Sequence, residues 1–436
     1  MAAPDGQELE SLGTWQFIQA LPRETKLFMA VAAVSQVGST GSLLAITTIA
    51  ADAAPTTRQA ANYTSALFFV MFGVAALAMP YTALVSRRLG VLKSFAAIQV
   101  AACLLWLAVA GLIALGAPGY PVLLGAAVLA GALRGWGMTL GQLSLSCYAP
   151  TAGRARSIAL MSSSQGLGAV IGGPVGGLLV DLAGPLAVIV FNALSFLPVA
   201  WVVLAVVPLR APKSARMQEK PWRAIWASMR SSSAIRGAVV VAVGSALMIG
   251  PLSQMMVPLA RDLGHNLALH AGILIGALAA GNLLAPVLLP RLQHSIRAVS
   301  TAKAYTIAAG AMVCVSLFAY LLDGGAELVT LGLVFIVFAA GSTTGRSFLV
   351  DFVEIESAEE ERTRNLSTYF LAIMVGVTLG SLVWGQLLSS AGGFVTLLSL
   401  SIGMLLMTVY YWRSLLRSAR EAEAGNSPSS PPPPER

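Results

Sequence analysis

Between residues 28 and 412 the chain is an almost unbroken succession of long apolar runs, and nothing else in it constrains the fold as tightly. The hydrocarbon core of a bilayer is about 30 Å thick and takes roughly 20 helical residues to cross. At that length the runs read as spans over 28–50, 62–85, 94–116, 122–147, 157–180, 185–207, 237–260, 268–290, 299–322, 328–350, 365–389 and 394–412. Lipid offers a backbone no hydrogen-bonding partner, so each must be a helix, and the runs are too long for barrel strands. Only 11% of residues are charged and 56% are hydrophobic, whereas an average globular domain carries about 25% charged residues. The expected fold class is therefore an all-α membrane protein of twelve transmembrane helices.

Orientation follows from the basic residues. With the N-terminus placed in the cytoplasm, 23 of the 27 Lys and Arg side chains fall on the cytoplasmic side, Arg58 and Arg261 fall outside, and Arg134 and Arg346 lie within spans. Basic residues gather in cytoplasmic loops of membrane proteins, so this split puts both termini inside and requires an even number of spans. The net charge of +8 is then a matter of topology, and no nucleic-acid partner is expected. Cys103, Cys147 and Cys314 pair with nothing in sequence and match no metal spacing, so they read as small residues facing lipid or helix.

The longest polar break, 208–236, holds Pro208, Pro212, Pro221 and seven basic residues. It reads as a cytoplasmic linker with a short surface helix around Trp222–Met229. It separates an N-terminal six-helix bundle (28–207) from a C-terminal one (237–412), flanked by a cytoplasmic N-terminal segment (1–27) and a Pro-rich disordered tail (413–436). The halves resemble each other. Arg154 and Arg156 precede Gly168, Gly172, Gly177 and Gly184, while Arg362 and Arg364 precede Gly376, Gly380, Gly385 and Gly392; every pair is 208 residues apart. Such a period points to two six-helix pseudo-repeats, an arrangement in which secondary transporters hold substrate between the halves.

The fifth span carries Gly166, Gly168, Gly172, Gly173, Pro174, Gly176 and Gly177. In a membrane such a run lets a neighbouring backbone approach and lets the helix bend, which serves tight packing and a pliable helix equally. Arg134 lies mid-span in GALRGWGMTLGQ. A charge at that depth costs at least about 2.5–3.5 kcal/mol, so it must face a cavity or a partner. Gln36, Ser39, Thr40, Gln165 and Asn192, with Gln254 and Asn282 in the second half, are polar candidates for the same pathway, each equally readable as a packing hydrogen bond. Arg346 is followed by Asp351, five residues on, a candidate gate pair with solvated loop charge as the alternative. No carboxylate lies at mid-depth. Either an acid at a helix end carries a proton, Asp52 or Asp351 first, or the chain works as a facilitator.

This layout resembles the major facilitator superfamily over residues of about 25–415. Tyr148–Gly184 (YAPTAGRARSIALMSSSQGLGAVIGGPVGGLLVDLAG) is similar to the family's loop after the fourth helix and its Gly-rich fifth helix, with GGPVGG where exporters carry a GPxxGG-type motif. The run Asn192-Ala-Leu-Ser-Phe196 resembles the sixth helix of the drug and siderophore efflux branch, enterobactin exporters among them. Anchored on Gly90, the loop between spans two and three keeps the basic cluster Arg87, Arg88 and Lys93 of the family's G-x-x-x-D-R-x-G-R-R motif. Its acidic position falls on Arg87 and its first glycine on Ala83, so the gate built by that Asp in relatives does not carry over. The resemblance implies that Arg134 corresponds to the fourth-helix arginine linked to proton coupling in exporters.

The expectation is a monomeric, multi-pass protein of the plasma (inner) membrane. It would export amphipathic small molecules (drug, siderophore or other secondary metabolite) by alternating access, with protons as the candidate coupling ion. The alternative is an uptake permease or facilitator. An enzyme is not expected: the three histidines His265, His270 and His294 lie in or near loops, no HExxH, GxSxG or phosphate-binding loop occurs, and neither cofactor nor metal is called for.

Overall fold

The computed structural model describes residues 14–148, 154–206, 208, 221–231, 233–265, 267–292, 297–322, 324–355, 357 and 361–425. Most of the expected linker (209–220), the first thirteen residues and the tail beyond 425 lie outside these. Among the described residues there are fourteen α-helices, one 3-10 turn and no strand. In chain order they are α1 (Thr14–Ala20), α2 (Arg23–Asp52), α3 (Thr57–Ala78), the 3-10 turn Met79–Tyr81, α4 (Thr82–Ala114), α5 (Gly119–Tyr148), α6 (Arg154–Ala183) and α7 (Pro185–Ala205). After the linker come α8 (Pro221–Ser231), α9 (Ser233–Ile249), α10 (Met256–Asp262), α11 (Ala268–Leu292), α12 (Arg297–Leu321), α13 (Gly324–Ile355) and α14 (Arg362–Gly425).

Among the described residues ten helices are long and apolar enough to cross a membrane, and Ile235–Ile249 is a shorter apolar helix. The last of the ten, Arg364–Arg413, is 50 residues long and is broken at Gly392, whose φ of 83° is non-helical. Gly184, 208 residues earlier, has φ of 80° and separates α6 from α7 in the same way. A side chain in that left-handed region costs about 1–2 kcal/mol, which glycine avoids. The helix after Gly392 runs on to Gly425, well past the expected tail boundary at 413, because Arg413–Ala424 consists largely of strong helix formers.

Where the sequence reads as one span over 237–260, the chain forms α9, a turn and α10. Pro251 cannot donate to the carbonyl four residues back, and its ring crowds that carbonyl. The freed oxygen of Leu247 instead accepts the indole N–H of Trp384 at 2.6 Å. At membrane depth an orphaned carbonyl needs such a substitute.

The glycine pairs make matching contacts. Gly168 and Gly172 of α6 lie on the Ala33 and Val37 carbonyls of α2, and Gly376 and Gly380 of α14 lie on the Val243 and Leu247 carbonyls of α9. Gly177 lies on Ala268 and Leu269 of α11, and Gly385 on Ala61 and Ser65 of α3. At the first four a Cβ would come within 3.0 Å of a backbone oxygen, and the last two contacts join the halves. The bundle thus has two ends: the linker end, where α2 and α9 begin, and the far end, where α2 and α10 finish.

Candidate functional site

The site is built on α5 and α13. Gly131 and Gly135 of α5 press on the Met71 and Ala75 carbonyls of α3, and Gly137 and Gly141 face Ile98 and Phe95 of α4. Leu129, 58% exposed, marks the outer side. Five residues of α-helix turn about 140°, so Arg134 points away from Leu129, into the interior. It is nonetheless exposed, as is Met138 one turn on. Towards the far end, Leu123, Ala127 and Ala130 on this inner face are buried. The inner face of α5 is therefore closed at the far end and open towards the linker end.

The Arg134 guanidinium carbon sits 5.1 Å from the centre of the Phe72 ring. A cation–π contact supplies about 0.5–2 kcal/mol, against at least about 2.5–3.5 kcal/mol for a charge at bilayer depth. The remainder must come from water or a ligand on the open side, for among the described residues Arg134 has no ion-pair partner.

The same construction recurs in α13. Gly341 lies on Ala304 and Ala308 of α12, Gly345 on the Tyr305 ring, and Gly281 of α11 lies on Ile336 and Ala339. Arg346, also exposed, points about 180° from the outward Val337. It stands 208 residues after Met138, so the two arginines occupy matching inner stripes one turn apart. Asp351, its candidate gate partner, lies about 140° further round the same unbroken helix.

The other pathway candidates divide into packed and open groups. Asn192 is 2% exposed and backs onto Gly38 of α2. Gln254 is 4% exposed; its Oε1 accepts from the Ser381 hydroxyl at 2.9 Å, and its Nε2 donates to the Gly250 carbonyl at 3.3 Å. Gln254 thus braces a helix contact, while the Asn192 Oδ1 is buried with no hydrogen-bond partner among the described residues. Gln36 is half-buried and donates to the buried Thr40 hydroxyl at 3.3 Å, with Ser39 also half-buried beside them. Gln165 and Asn282 are exposed, and Asn282 accepts the Thr343 hydroxyl. Gly173 abuts Gly272 and Gly276 of α11, and Gly176 abuts Gly41, so the Gly-rich helix is packed against both halves. At the linker end Arg87 and Arg88 are exposed beside Gly90, whose φ of 77° makes the turn within α4.

Among the described residues three polar ties join the halves at the far end. Arg261 pairs with Asp52 at 2.8 Å. The Asp181 carboxylate accepts the backbone N–H groups of Ala268 and Leu269 at 3.0 and 2.9 Å, capping α11 from the other half. The Asn62 amide donates to Ser389 at 2.9 Å. Beside them His265 and Glu327, 8% and 4% exposed, approach to 3.3 Å, with His270 edge-on to His265. Of these groups, sequence reasoning singled out Asp52 alone. Arg261, one of only two basic residues expected outside, was a signal for its pairing; Asp181 and Glu327 gave none, since each partner is distant in sequence.

Residues 26–354 match the Major Facilitator Superfamily model. The chain belongs to this superfamily. It is a multi-pass integral membrane protein and a transporter rather than an enzyme. No curated protein sequence matches it. Among solved structures it is similar to the nucleoside transporter NupG (D323A mutant), at 11% identity and a TM-score of 0.71, covering 90% of this chain and 99% of that one. A D-xylose-proton symporter aligns at 14% identity and a TM-score of 0.69, over 89% of this chain and 96% of that one. The human organic anion transporter MFSD10 (TETRAN) aligns at 15% and 0.61, over 89% and 100%. At these identities the likeness concerns the fold.

Proposed function

We propose that this superfamily member is a secondary active transporter that exports amphipathic small molecules by alternating access. In this reading twelve spans put both termini in the cytoplasm and the linker end faces inward. Gly392 divides the last long helix into two spans, and α9 with α10 forms the seventh. The carrying observation is the contrast along α5: its inner face is buried at the far end, beneath the Arg261–Asp52 and Asp181 ties, and open at Arg134 and Met138. That is the form expected of a state open to one side only. The exposed Met138, on the same inner stripe of α5 as Arg134, suits an apolar substrate body.

Proton antiport is the coupling we assign, through acids at helix ends. Asp52 is the first candidate because its pairing with Arg261 would be broken by protonation. The plasma membrane, a monomeric state and the efflux branch complete the reading. Purified protein in proteoliposomes should move at least one compound from a panel of amphipathic amines, acids and neutral aromatics when a pH gradient is applied. Absence of movement for every compound, with correctly inserted protein, would refute it. Uptake is the second reading, favoured by the symporter that shares this fold. Counterflow in vesicles of the two orientations separates the directions.

A further inference from the structure

α8 (Pro221–Ser231) bridges the two halves at the linker end. It leads into α9, and its Trp222 indole N–H donates at 3.3 Å to the Tyr81 hydroxyl of the 3-10 turn. Trp222 and Ile225 pack against the main apolar core, and Met229 is half-buried. Since its neighbours are the ends of spans, α8 lies where hydrocarbon gives way to headgroups.

The rest of its circumference is graded. At about 100° per residue, Ile225, Met229 and Trp222 fall within one inward stripe about 60° wide. Trp226 follows about 40° past Trp222, and Arg230 and Arg223 about 80° and 100° past it. Trp226 is 59% exposed, and both arginines are exposed. With Ala227 these three side chains line an open groove. Among the described residues neither arginine has an ion-pair partner. Round the helix, packed core thus gives way first to an indole and then to two guanidinium groups. Tryptophan takes that place at the headgroup level of a bilayer, and guanidinium forks suit phosphate oxygens.

The repeat supplies an internal comparison. α1 (Thr14–Ala20) stands 208 residues before 222–228 and precedes α2 as α8 precedes α9. It buries Phe17, exposes Gln16 and Gln19, and carries no charge. The shared architecture therefore does not call for the two arginines. Nor does the excess of basic residues that fixes orientation call for an exposed indole beside them.

We infer that this face of α8 binds an acidic phospholipid of the leaflet at the linker end. Its phosphate lies on Arg223 and Arg230, and its acyl chains run beside Trp226. This goes beyond the transport reading and holds whatever the substrate.

The test uses full-length protein and dioleoyl phosphatidylglycerol as the probe. Dioleoyl phosphatidylcholine, which has no net charge, and soluble glycerol 3-phosphate are the comparisons. Binding in detergent is read by native mass spectrometry. Near an acidic membrane surface each arginine contributes roughly five-fold in affinity. Arg223→Gln combined with Arg230→Gln should therefore weaken binding of the first phosphatidylglycerol by roughly ten-fold or more. The paired lysine variant should keep most of the affinity. Arg87→Gln combined with Arg88→Gln removes the same charge at the same end and should leave it near wild type. A second measurement does not depend on the arginine variants folding. In nanodiscs, the emission of Trp226, taken as the difference between wild type and Trp226→Phe, should be quenched by lipid brominated near the headgroup end of its chains. Equal affinity for the two lipids overturns the inference, as does an Arg87 and Arg88 loss as large as that at Arg223 and Arg230. An unquenched Trp226 overturns it too. Glycerol 3-phosphate binding as tightly as the lipid would make this a site for a soluble phosphate, and would also overturn it.

Discussion

The two halves solve one packing problem in two chemistries. In the first, Gly176 of α6 lies directly against Gly41 of α2, and both helices run through the contact unbroken. In the second, the residue 208 positions after Gly176 is Trp384, and the helix it faces is broken at Pro251. There the indole N–H replaces the hydrogen bond that proline removes from the Leu247 carbonyl. The glycines flanking these positions keep their contacts in both halves. Backbone architecture therefore follows the repeat, and side chains that meet polar needs do not. The same division holds for the inner stripes: Arg134 has Ser342 as its counterpart and Arg346 has Met138.

The largest effect should come from the inter-half contacts that the repeat makes equivalent. Gly177→Leu and Gly385→Leu would each force a side chain into a neighbouring helix at a closely approached position, where overpacking costs about 1–3 kcal/mol or more. Both should lower thermal stability in detergent and abolish flux. Gly125→Leu, at a position with open space around it, should match wild type. If only one of the two inter-half variants were damaged, the halves would not be equivalent.

A smaller effect tests where they differ. Trp384→Phe strands the Leu247 carbonyl, and an unsatisfied buried acceptor costs about 1–3 kcal/mol. Replacing Pro251 by Ala in the same chain should recover part of this by restoring a helical donor. No recovery in a melting measurement would mean that the tryptophan acts by filling space.

Least should follow from Asp52→Asn. The Asp52 side chain is 58% exposed in its pair with Arg261, and exposed pairs contribute about 0–1 kcal/mol. Melting should hardly move, while labelling of a cysteine at Ser39 from the far side should rise, because the tie closing that end is weakened. Unchanged labelling would exclude Asp52 from the closure.

Much of this fold was legible in sequence because bilayer physics dictates helix length and the positive charge of loops, and because glycines at a fixed period register close backbone approach. The breaks at Gly184 and Gly392 were visible as a matched pair for that reason. The interruption at Pro251 was not, since proline within an apolar run is compatible with a continuous, kinked span until its partner Trp384, far along the chain, is known. The site was half legible. Arg134 stood out through the cost of its charge, whereas Asn192 and Gln254 read equally as pathway or packing residues, and both are buried. A lone amide carries no mark of which side of its helix faces the path. The buried His265–Glu327 contact was hidden because it joins two loop-proximal residues from different helices.

The central claim is that the far end must open for the protein to work. In a background with Cys103, Cys147 and Cys314 replaced, Asp52→Cys and Arg261→Cys can be bridged by a short bis-maleimide in proteoliposomes. The account predicts that bridged protein still binds a transported panel compound from the linker end but no longer carries it across, while either single cysteine treated alike retains flux. Complete bridging with undiminished flux would contradict it.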